Sequence, residues 1–278
     1  MGGVGNQMFQ IAIAYAMSRK FHGRLLFVKQ ATHMCGQGSS PSKYYTNLYE
    51  KLVFVDKLEP TKSISEKQWK AYALLPEVES YLENRQDTLS TILFHGYWQS
   101  VQYFQDYRTE IKYLFTPYPG IIQYLERYTR LFERFPELKN DNDYCFIGVR
   151  RGDYIKKADY HSPCGMTFYN EGMRQMNKQR YYIASDDIEW CRKKFVGDQY
   201  VFFDVDDDLE QLYITALFKN YILSNSSFHW WGSFLSVYPN PTILVADKWV
   251  FGKDAKREEY DSIYRPEMRI IERPVETD

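Results

Sequence analysis

Short apolar runs alternate with amphipathic segments along the second half of the chain, from Tyr144 onward. Three of these runs have the length and residue types of buried β-strands, at residues 145–149, 181–184 and 221–223. Each run is followed by a polar turn and then by a segment with apolar residues at helical spacing. Repeated strand–helix units of this kind predict an α/β fold with a parallel sheet.

The first half of the chain shows the same alternation less regularly. Residues 5–21 carry apolar residues at helical spacing and end before a glycine, which predicts a helix. Residues 24–28 and 91–94 are predicted strands, and a helix is expected to begin near Val101. Residues 31–42 are rich in Gly and Ser and lack periodicity, so they are predicted to be a loop.

The middle of the chain contains the predicted domain boundary. Residues 118–135 are predicted to be helical, and residues 136–143 are polar and contain a proline. Because domain boundaries fall in stretches of that kind, we expect two domains, residues 1–140 and residues 141–278.

The polar turns after the three strands of the second half contain the candidate chemistry. In an open α/β sheet, ligands bind beyond the carboxyl ends of the strands, so we expect these turns to meet at one site. The turns are Arg150-Arg151-Gly152-Asp153, Ser185-Asp186-Asp187 and Ser224-Asn225-Ser226-Ser227.

The two adjacent arginines predict an anion site. Two guanidinium groups fixed beside a glycine can bind a diphosphate in a bidentate manner, and Asp153 can orient one of them. The alternative is a surface cluster of ion pairs after a core strand, which is common in proteins.

The serine-rich turn predicts a second anion site. Ser and Asn are N-cap residues, and the first turn of the following helix leaves backbone N–H groups unpaired at the positive end of its dipole. A carboxylate of Asp186 or Asp187 suits a base or ribose, so the three turns together suit a nucleoside diphosphate. Alternatively, both aspartates only cap the helix that follows them.

Five motifs in register extend this interpretation over nearly the whole chain. They are residues 2–10 (GGVGNQMFQ), 95–100 (HGYWQS) with Tyr103 and Phe104, 149–154 (VRRGDY), 185–187 (SDD), and 224–228 (SNSSF) with 230–232 (WWG). In order and spacing the chain resembles the bacterial α-1,2-fucosyltransferases of glycosyltransferase family 11.

The resemblance implies an α/β fold of the GT-B type, in which two Rossmann-like domains face each other across a cleft. Residues 1–140 would form the acceptor-side domain, and residues 141–278 would bind GDP-fucose. The implied reaction transfers L-fucose to a sugar hydroxyl with inversion and without a metal or other cofactor. The expected acceptor is a galactose-containing glycan, joined through an α-1,2 linkage. A GT-B fucosyltransferase of another linkage and a non-catalytic sugar-nucleotide or glycan-binding protein are the alternatives.

The resemblance also implies roles for residues. Arg150 would neutralise the donor β-phosphate, with Arg151 and Asp153 in support, so Arg150 and Asp153 are the expected catalytic residues. Asn6 would reach the donor from the first domain, although it could equally be a simple N-cap. The donor-binding candidates are Asn6, Arg150, Arg151, Ser185, Asp186, Asp187, Asn225, Ser226, Ser227 and Phe228. The acceptor-binding candidates are His95, Tyr97, Trp98 and Gln99. The general base stays open among Asp153, His95, Asp159 and His161. His95 and His229 are candidates for acceptor contacts or proton transfer, although a lone histidine in an apolar context is more often structural.

Two departures from the family pattern stand out. Family members commonly have a histidine two places before the first arginine, and this chain has Gly148 there. The family also begins with a short strand before the first glycine motif, whereas Met1 directly precedes Gly2. We therefore expect either a truncated start or a missing first strand.

An acidic run supports a rival interpretation with a metal. The run Asp204-Val205-Asp206-Asp207-Asp208 contains the Asp-x-Asp form that holds Mg²⁺ or Mn²⁺ on a diphosphate in GT-A enzymes. The acidic run also precedes a segment with helical spacing, where the helix dipole favours negative charge. Because two arginines make a cation redundant, we expect no metal.

Composition limits the cellular setting. A formal net charge of −1 over 278 residues gives no overall attraction to nucleic acid. Four scattered cysteines, Cys35, Cys145, Cys164 and Cys191, favour reduced thiols over a disulfide framework. The longest uncharged stretch, residues 220–246, contains polar residues and prolines that disfavour a membrane span. With no secretory signal visible, we expect a cytoplasmic protein, peripheral at the inner membrane if its acceptor is lipid-linked.

Overall fold

The structure is a computed structural model that describes residues 2–29, 40–66, 75–84, 90–116, 133, 136, 143–161, 163–203, 205, 207–250 and 260–273. The chain divides into two compact units. The first comprises Met1–Pro117 and Lys256–Arg265, and the second comprises Tyr118–Ala255 and Pro266–Asp278. The boundary expected after residue 140 falls outside the described residues and stays a prediction.

The first unit contains two short parallel strand pairs and three α-helices among its described residues. Strand β1 pairs with β2, and β3 pairs with β4. The elements are α1 (Val4–Lys20), β1 (Phe27–Val28), β2 (Phe54–Val55), β3 (Lys62–Ser65), α2 (Leu75–Glu83), β4 (Ile92–His95) and α3 (Arg108–Phe115). Short 3₁₀ helices lie at Pro41–Tyr44, Val101–Tyr103, Gln105–Tyr107 and Asp261–Ile263.

The predictions for the first unit were partly right. Helix α1 and strand β4 agree with the predicted elements, but only two residues of the strand predicted at 24–28 pair with a neighbour. Near Val101 the chain forms a 3₁₀ turn, because the Ser100 hydroxyl accepts a hydrogen bond from the Gln102 N–H. The α-helix begins only at Arg108. The helix predicted at 118–135 and most of the loop predicted at 31–42 lie outside the described residues.

The second unit is built on a six-stranded parallel sheet with the order β10-β9-β8-β5-β6-β7. Its strands are β5 (Tyr144–Val149), β6 (Arg180–Ser185), β7 (Tyr200–Phe202), β8 (Asn220–Leu223), β9 (Thr242–Ala246) and β10 (Met268–Ile271). Its helices are α4 (Gly152–Ile155), α5 (Ala158–His161), α6 (Met166–Met176), α7 (Ile188–Lys194), α8 (Asp208–Ala216) and α9 (Ser227–Phe234). The three strands predicted in this half are β5, β6 and β8, so the α/β fold class is confirmed.

The central strand β5 is buried on both faces, which explains its unbroken apolar run. Cys145, Ile147 and Val149 belong to a core that includes Phe168 and Tyr169 of α6. The opposite face carries Phe146, whose ring lies 5.5 Å from that of Phe218. Side chains of a strand alternate between its faces, so even-numbered and odd-numbered residues of β5 enter different cores.

The structure also describes the uncharged stretch and the cysteines of this half. Residues 220–246 form β8, α9 and β9, and no described helix of the chain is long and apolar enough to span a bilayer. Cys145, Cys164 and Cys191 are buried free thiols. Cys35 lies outside the described residues.

Candidate functional site

Strands β8, β5 and β6 are neighbours in the sheet, so the three polar turns meet at one edge. Gly148 in β5 is in register with Ala184 of β6 and with Leu223 of β8. Parallel strands lie about 4.8 Å apart, and each strand ends within two residues of these positions. The turns that begin at Arg150, Ser185 and Ser224 therefore lie side by side, as the sequence predicted.

Arg150 is held by carboxylates from two different elements. Its Nη2 contacts Asp153 Oδ1 at 2.5 Å, and its Nη1 lies 3.0 Å from Asp186 Oδ2. The guanidinium carbon lies 5.2 Å from the centre of the Tyr154 ring. Because the side chain is still 35% exposed, an incoming anion can reach a guanidinium whose orientation is already set.

The backbone of the arginine turn is tied to both neighbouring strands. The Arg150 N–H donates to Ser224 Oγ at 3.0 Å, and the Arg151 N–H donates to Asp186 Oδ1 at 2.8 Å. A side chain at Gly152 would collide with the Asp186 carboxylate, so the close approach requires a glycine. The Asp186 carboxylate thus contacts the turn twice, at the Arg151 backbone N–H and at the Arg150 side chain.

Arg151 is largely covered, with only 13% of its side chain exposed. Its guanidinium carbon lies 4.0 Å from the centre of the Trp190 ring, which is a cation–π distance. Its Nε lies 3.5 Å from Asp187 Oδ2 but without hydrogen-bond alignment, so the contact is an ion pair only. Trp190 was not among the sequence candidates. The sequence signal for Trp190 is its position as an aromatic residue in the first turn of the helix that follows the acidic turn.

Asp187 is the N-cap of α7. Its Oδ1 accepts a hydrogen bond from the Trp190 N–H at 3.2 Å, and its own N–H donates to Ser185 Oγ at 2.9 Å. Asp187 therefore caps a helix, and Asp186 orients the arginine turn. The expected contact of either carboxylate with a base or ribose stays a prediction.

The serine-rich turn is organised by a fully buried amide. Asn225 Nδ2 donates to the Trp249 carbonyl at 3.0 Å, and the Asn225 carbonyl accepts from the Tyr154 hydroxyl at 3.0 Å. Ser226 Oγ caps α9 by accepting from the His229 N–H. Ser227 and Phe228 are half-buried at the first turn of this helix. Donor contacts of these four residues stay predictions, and Asn225 has a clear structural role.

A buried ion pair behind this turn was not predicted. Arg273 Nε lies 3.1 Å from Asp247 Oδ1, and Arg273 Nη1 donates to Cys164 Sγ at 3.2 Å. The Cys164 thiol in turn lies 4.0 Å from Asn225 Oδ1. No sequence pattern pointed to Arg273, because it follows the last strand and its partners come from other segments.

An aromatic stack flanks Arg150. The rings of Tyr154 and His161 lie 4.4 Å apart and are inclined by only 11°. Burial lowers the pKa of His161 to about 4, and the positive charges of Lys157 and Arg150 add to that effect. His161 is therefore neutral at neutral pH, and a pKa this low makes its ring a weak base. Asp159, the other base candidate in this segment, is exposed.

In the first unit, two of the family-like motifs are in contact. Gln99 Nε2 donates to Asn6 Oδ1 at 2.6 Å. The interpretation of Asn6 as an N-cap was wrong, because Gly3 caps α1 and Asn6 lies in the first helical turn. The expected donor contact of Asn6 stays a prediction.

The segment after β4 is held by Glu66, a residue that sequence reasoning missed. Its carboxylate accepts from the Trp98 N–H at 2.5 Å and from the Tyr103 hydroxyl at 3.1 Å. Burial raises the pKa of Glu66 despite these hydrogen bonds. The bonds hold Trp98 at φ +56°, a conformation that disfavours a bulky residue. Nothing in the sequence distinguishes Glu66 from the other acidic residues.

The acceptor candidates differ in accessibility. Trp98 is fully buried, with its ring 5.7 Å from that of Phe94. His95 is exposed, and Tyr97 and Gln99 are half-buried. Acceptor binding by these four residues stays a prediction, and Trp98 has a packing role in the unit.

The Asp-x-Asp alternative is not tested by the structure. Asp204 and Asp206 lie outside the described residues. The following Asp207 caps α8 by accepting from the backbone N–H groups of Leu209 and Glu210. Among the described residues, no three His, Cys, Asp or Glu side chains form a group that could hold a metal ion.

Comparison with known proteins points to a single family. The model described as glycosyl transferase family 11 matches residues 1–272. The α-1,2-colitosyltransferase of Escherichia coli is 23% identical over 94% of this chain and 92% of its own length. The O-antigen biosynthesis glycosyltransferase WbnK of Escherichia coli is also 23% identical, over 94% of this chain and 97% of its own.

Two solved structures are more distant. The fucosyltransferase NodZ from Bradyrhizobium is 10% identical with a TM-score of 0.47, over 84% of this chain and 89% of that chain. POFUT1 in complex with GDP is 11% identical with a TM-score of 0.39, over 87% and 95%.

Proposed function

Because this chain belongs to glycosyltransferase family 11, we propose that it transfers L-fucose from GDP-fucose to a sugar hydroxyl with inversion. The preferred linkage is α-1,2 to a galactoside in an oligosaccharide or surface polysaccharide. The proposed enzyme is of the GT-B class, which fits the α/β architecture of the chain. No metal or cofactor is part of the proposal.

The observation that carries the proposal is the pre-oriented Arg150 at the carboxyl edge of the sheet. In the reaction, the acceptor oxygen forms a bond to C1 of fucose from the side opposite the diphosphate. The bond from C1 to the β-phosphate oxygen breaks, and GDP leaves with the bonding electron pair. Arg150 stabilises the negative charge that develops on the leaving phosphate. A general base takes the proton of the acceptor hydroxyl, and its identity is open among the candidates named above.

Arg150 can act in this way without rearranging. Asp153 and Asp186 already fix the fork of the guanidinium, so little conformational entropy is lost when a phosphate binds. The N-terminus of α9, with Ser226 and Ser227, supplies a dipole of the right sign beside it.

A nucleotide competition experiment tests the donor. A carboxylate can accept hydrogen bonds from guanine N1–H and the exocyclic amine together, a pattern that adenine and uracil do not offer. We expect GDP to inhibit at least about tenfold better than ADP or UDP, the equivalent of about 1.4 kcal/mol. Equal inhibition by all three nucleotides would contradict a guanine-specific donor site.

Alanine variants show which aspartate is responsible for the preference for GDP. Asp186→Ala or Asp187→Ala should remove most of the preference for GDP at one of the two positions, because the wrong base then leaves no carboxylate unpaired. Glu189→Ala is the matched control, since Glu189 is exposed in the first turn of α7, the helix that follows both aspartates. If neither aspartate variant changes the ranking, the two residues have only the orienting and capping roles described above.

Two alternatives remain to be separated by turnover. A sugar-nucleotide-binding protein without activity would bind GDP but release none from GDP-fucose, with or without acceptor. The second alternative is a transferase for another sugar, and the similarity of this chain to an α-1,2-colitosyltransferase favours it. Incubating a panel of acceptors with GDP-fucose and with a colitosyl donor, and determining the linkage of each product, distinguishes these cases.

A further inference from the structure

The side-chain place at Gly148 is occupied by a histidine from another element. A Cβ atom added to Gly148 would lie 2.5 Å from Nδ1 and 2.7 Å from Cγ of His229. Real Cβ atoms essentially never come that close to a neighbour, so any side chain at position 148 would displace the imidazole. Helix α9 therefore places a ring where a side chain of the central strand would otherwise lie.

The imidazole is buried and lacks a polar partner at one nitrogen. His229 is only 3% exposed, and its ring packs on Phe146 of β5 at 5.6 Å. Nδ1 is inaccessible to solvent and has no hydrogen-bond partner among the described residues. A buried polar atom without a partner destabilises a fold, so a purely apolar ring would fill this space at lower cost.

The ring is neutral, which its surroundings require. Burial lowers the pKa of His229 to about 3, and the positive charge of Arg150 acts in the same direction. A second cation at this place would repel the guanidinium that the anion site needs.

The turn between β8 and α9 and the helix itself contact the end of β5 and Arg150 at three points. The Ser224 N–H donates to the Gly148 carbonyl at 3.1 Å, and Ser224 Oγ accepts from the Arg150 N–H at 3.0 Å. The third point is the His229 ring against Gly148. Gly148 is two residues before Arg150, so the imidazole supports the strand directly before the arginine turn.

We propose that His229 is a positioning residue for Arg150, and that its imidazole takes the side-chain place that Gly148 leaves open. The proposal rests on the proposed function, because it assumes that Arg150 binds the leaving diphosphate. His229 acts through the strand end and is not assigned a contact with the substrate.

A thermal double-mutant cycle tests the shared place on the protein alone. Gly148→Ala should lower the unfolding temperature in the wild-type background, because the new Cβ displaces the ring. In the His229→Ala background the same change should lower it much less, because the space is empty. An equal loss in both backgrounds would refute the shared place. This cycle needs no ligand, so it stands even if the proposed function fails.

The kinetics of His229→Ala test the positioning role. The variant empties the place beside Gly148, so we expect kcat to fall at least about tenfold with the acceptor KM unchanged, since small displacements of a catalytic group cost this much. His229→Phe refills the place with a ring and should recover most of this loss. Ser233→Ala, one turn further along the buried face of α9, is the control and should leave kcat unchanged. A wild-type kcat for His229→Ala would contradict the positioning role.

A reciprocal variant tests whether the imidazole can be supplied from the strand. His229→Ala combined with Gly148→His should have a kcat at least about fivefold above that of His229→Ala alone. If the kcat of the double variant is no higher than that of His229→Ala, an imidazole at position 148 does not replace that of His229. If the wild-type protein releases no GDP from GDP-fucose, the proposed function is refuted, and the thermal cycle alone decides whether the two positions share one place.

Discussion

At the scale of single residues, the two arginines that follow β5 have different contacts. Asp153 and Asp186 hold the guanidinium from two sides, while Arg151 stacks on Trp190. The two arginines are therefore not equivalent. Arg150 is accessible and oriented, and Arg151 packs the wall of the site.

Replacing Arg150 by lysine tests this difference. Lysine keeps the positive charge but loses the planar fork that both carboxylates orient. We expect kcat to fall by about two to three orders of magnitude, the scale of one lost transition-state donor. Steady-state kinetics with GDP-fucose measure the effect, and Arg174→Lys, an exposed ion pair on α6, serves as control. A kcat within about threefold of the wild type would rule out the role assigned to Arg150.

The His161 ring, which stacks on Tyr154, also makes the stability of the protein depend on pH. The pKa of His161 is lowered to about 4 by burial, so between pH 6.5 and about 4 the unfolded chain binds more protons than the folded one. The contribution of His161 to stability is thus fully present above pH 6.5 and is lost as the pH falls toward 4. His161→Phe, which keeps a ring on Tyr154, should show a smaller fall of unfolding free energy over this window. Urea titrations of both proteins at pH 7 and pH 5 measure it, and equal falls would contradict the assignment.

At the scale of elements, three helices of the second unit begin in the same way. After β6, β7 and β8, a short polar side chain accepts a hydrogen bond from the first helical turn, namely Asp187, Asp207 and Ser226. These caps fix where each helix starts, and hence where the polar turns lie relative to the strand ends. The acidic run before α8 therefore has a structural role at Asp207, whatever Asp204 and Asp206 do.

The cap at Asp207 can be measured by itself. Asp207→Ala removes an oxygen that accepts from two backbone N–H groups, so we expect a loss of about 1 kcal/mol in the free energy of unfolding. Asp207→Asn should retain most of it, because the amide oxygen can still accept. Chemical denaturation of the three proteins checks the order. An alanine variant as stable as the asparagine variant would show that the cap contributes little.

At the scale of the whole molecule, the chain contributes two separate segments to each compact unit. Residues 256–265 return to the first unit before β10 completes the sheet of the second. In the first unit, the Ser100 hydroxyl donates to the Ser262 carbonyl at 3.1 Å, which joins the segment after β4 to this returning stretch. Each unit is therefore assembled from two segments that are far apart in the sequence, and neither unit is a continuous half of the chain.

Metal dependence is a property of the whole enzyme and is tested there. If the arginine turn and the start of α9 neutralise the diphosphate, EDTA should leave fucosyl transfer essentially unchanged, and Asp206→Asn should affect mainly stability. Activity assays before and after chelation, with Mg²⁺ or Mn²⁺ added back, measure this. Loss of activity on chelation that either cation restores would favour the Asp-x-Asp interpretation.

Much of the second unit could be predicted because its strands are continuous apolar runs buried on both faces. β5, β6 and β8 lie where the pattern placed them, and their polar turns meet because parallel strands end at one edge. The first unit was harder, since strands as short as Phe27–Val28 leave too little periodicity to detect. Glu66 and Arg273 were missed because a single charged residue has no pattern until its partners are known.

The sequence by itself determined the local features of this protein: the strand–turn–helix units, the residue types of the polar turns and the order of motifs that resembles family 11. Each of these depends on residues close together in the chain. Only the tertiary structure decided which distant residues meet, such as Gln99 with Asn6 and His229 with Gly148. The missing side chain at Gly148 was visible in the sequence, but the ring that fills its place was not. The physical reason is that contacts between distant segments follow from strand order and helix packing, which the periodicity of a segment does not encode.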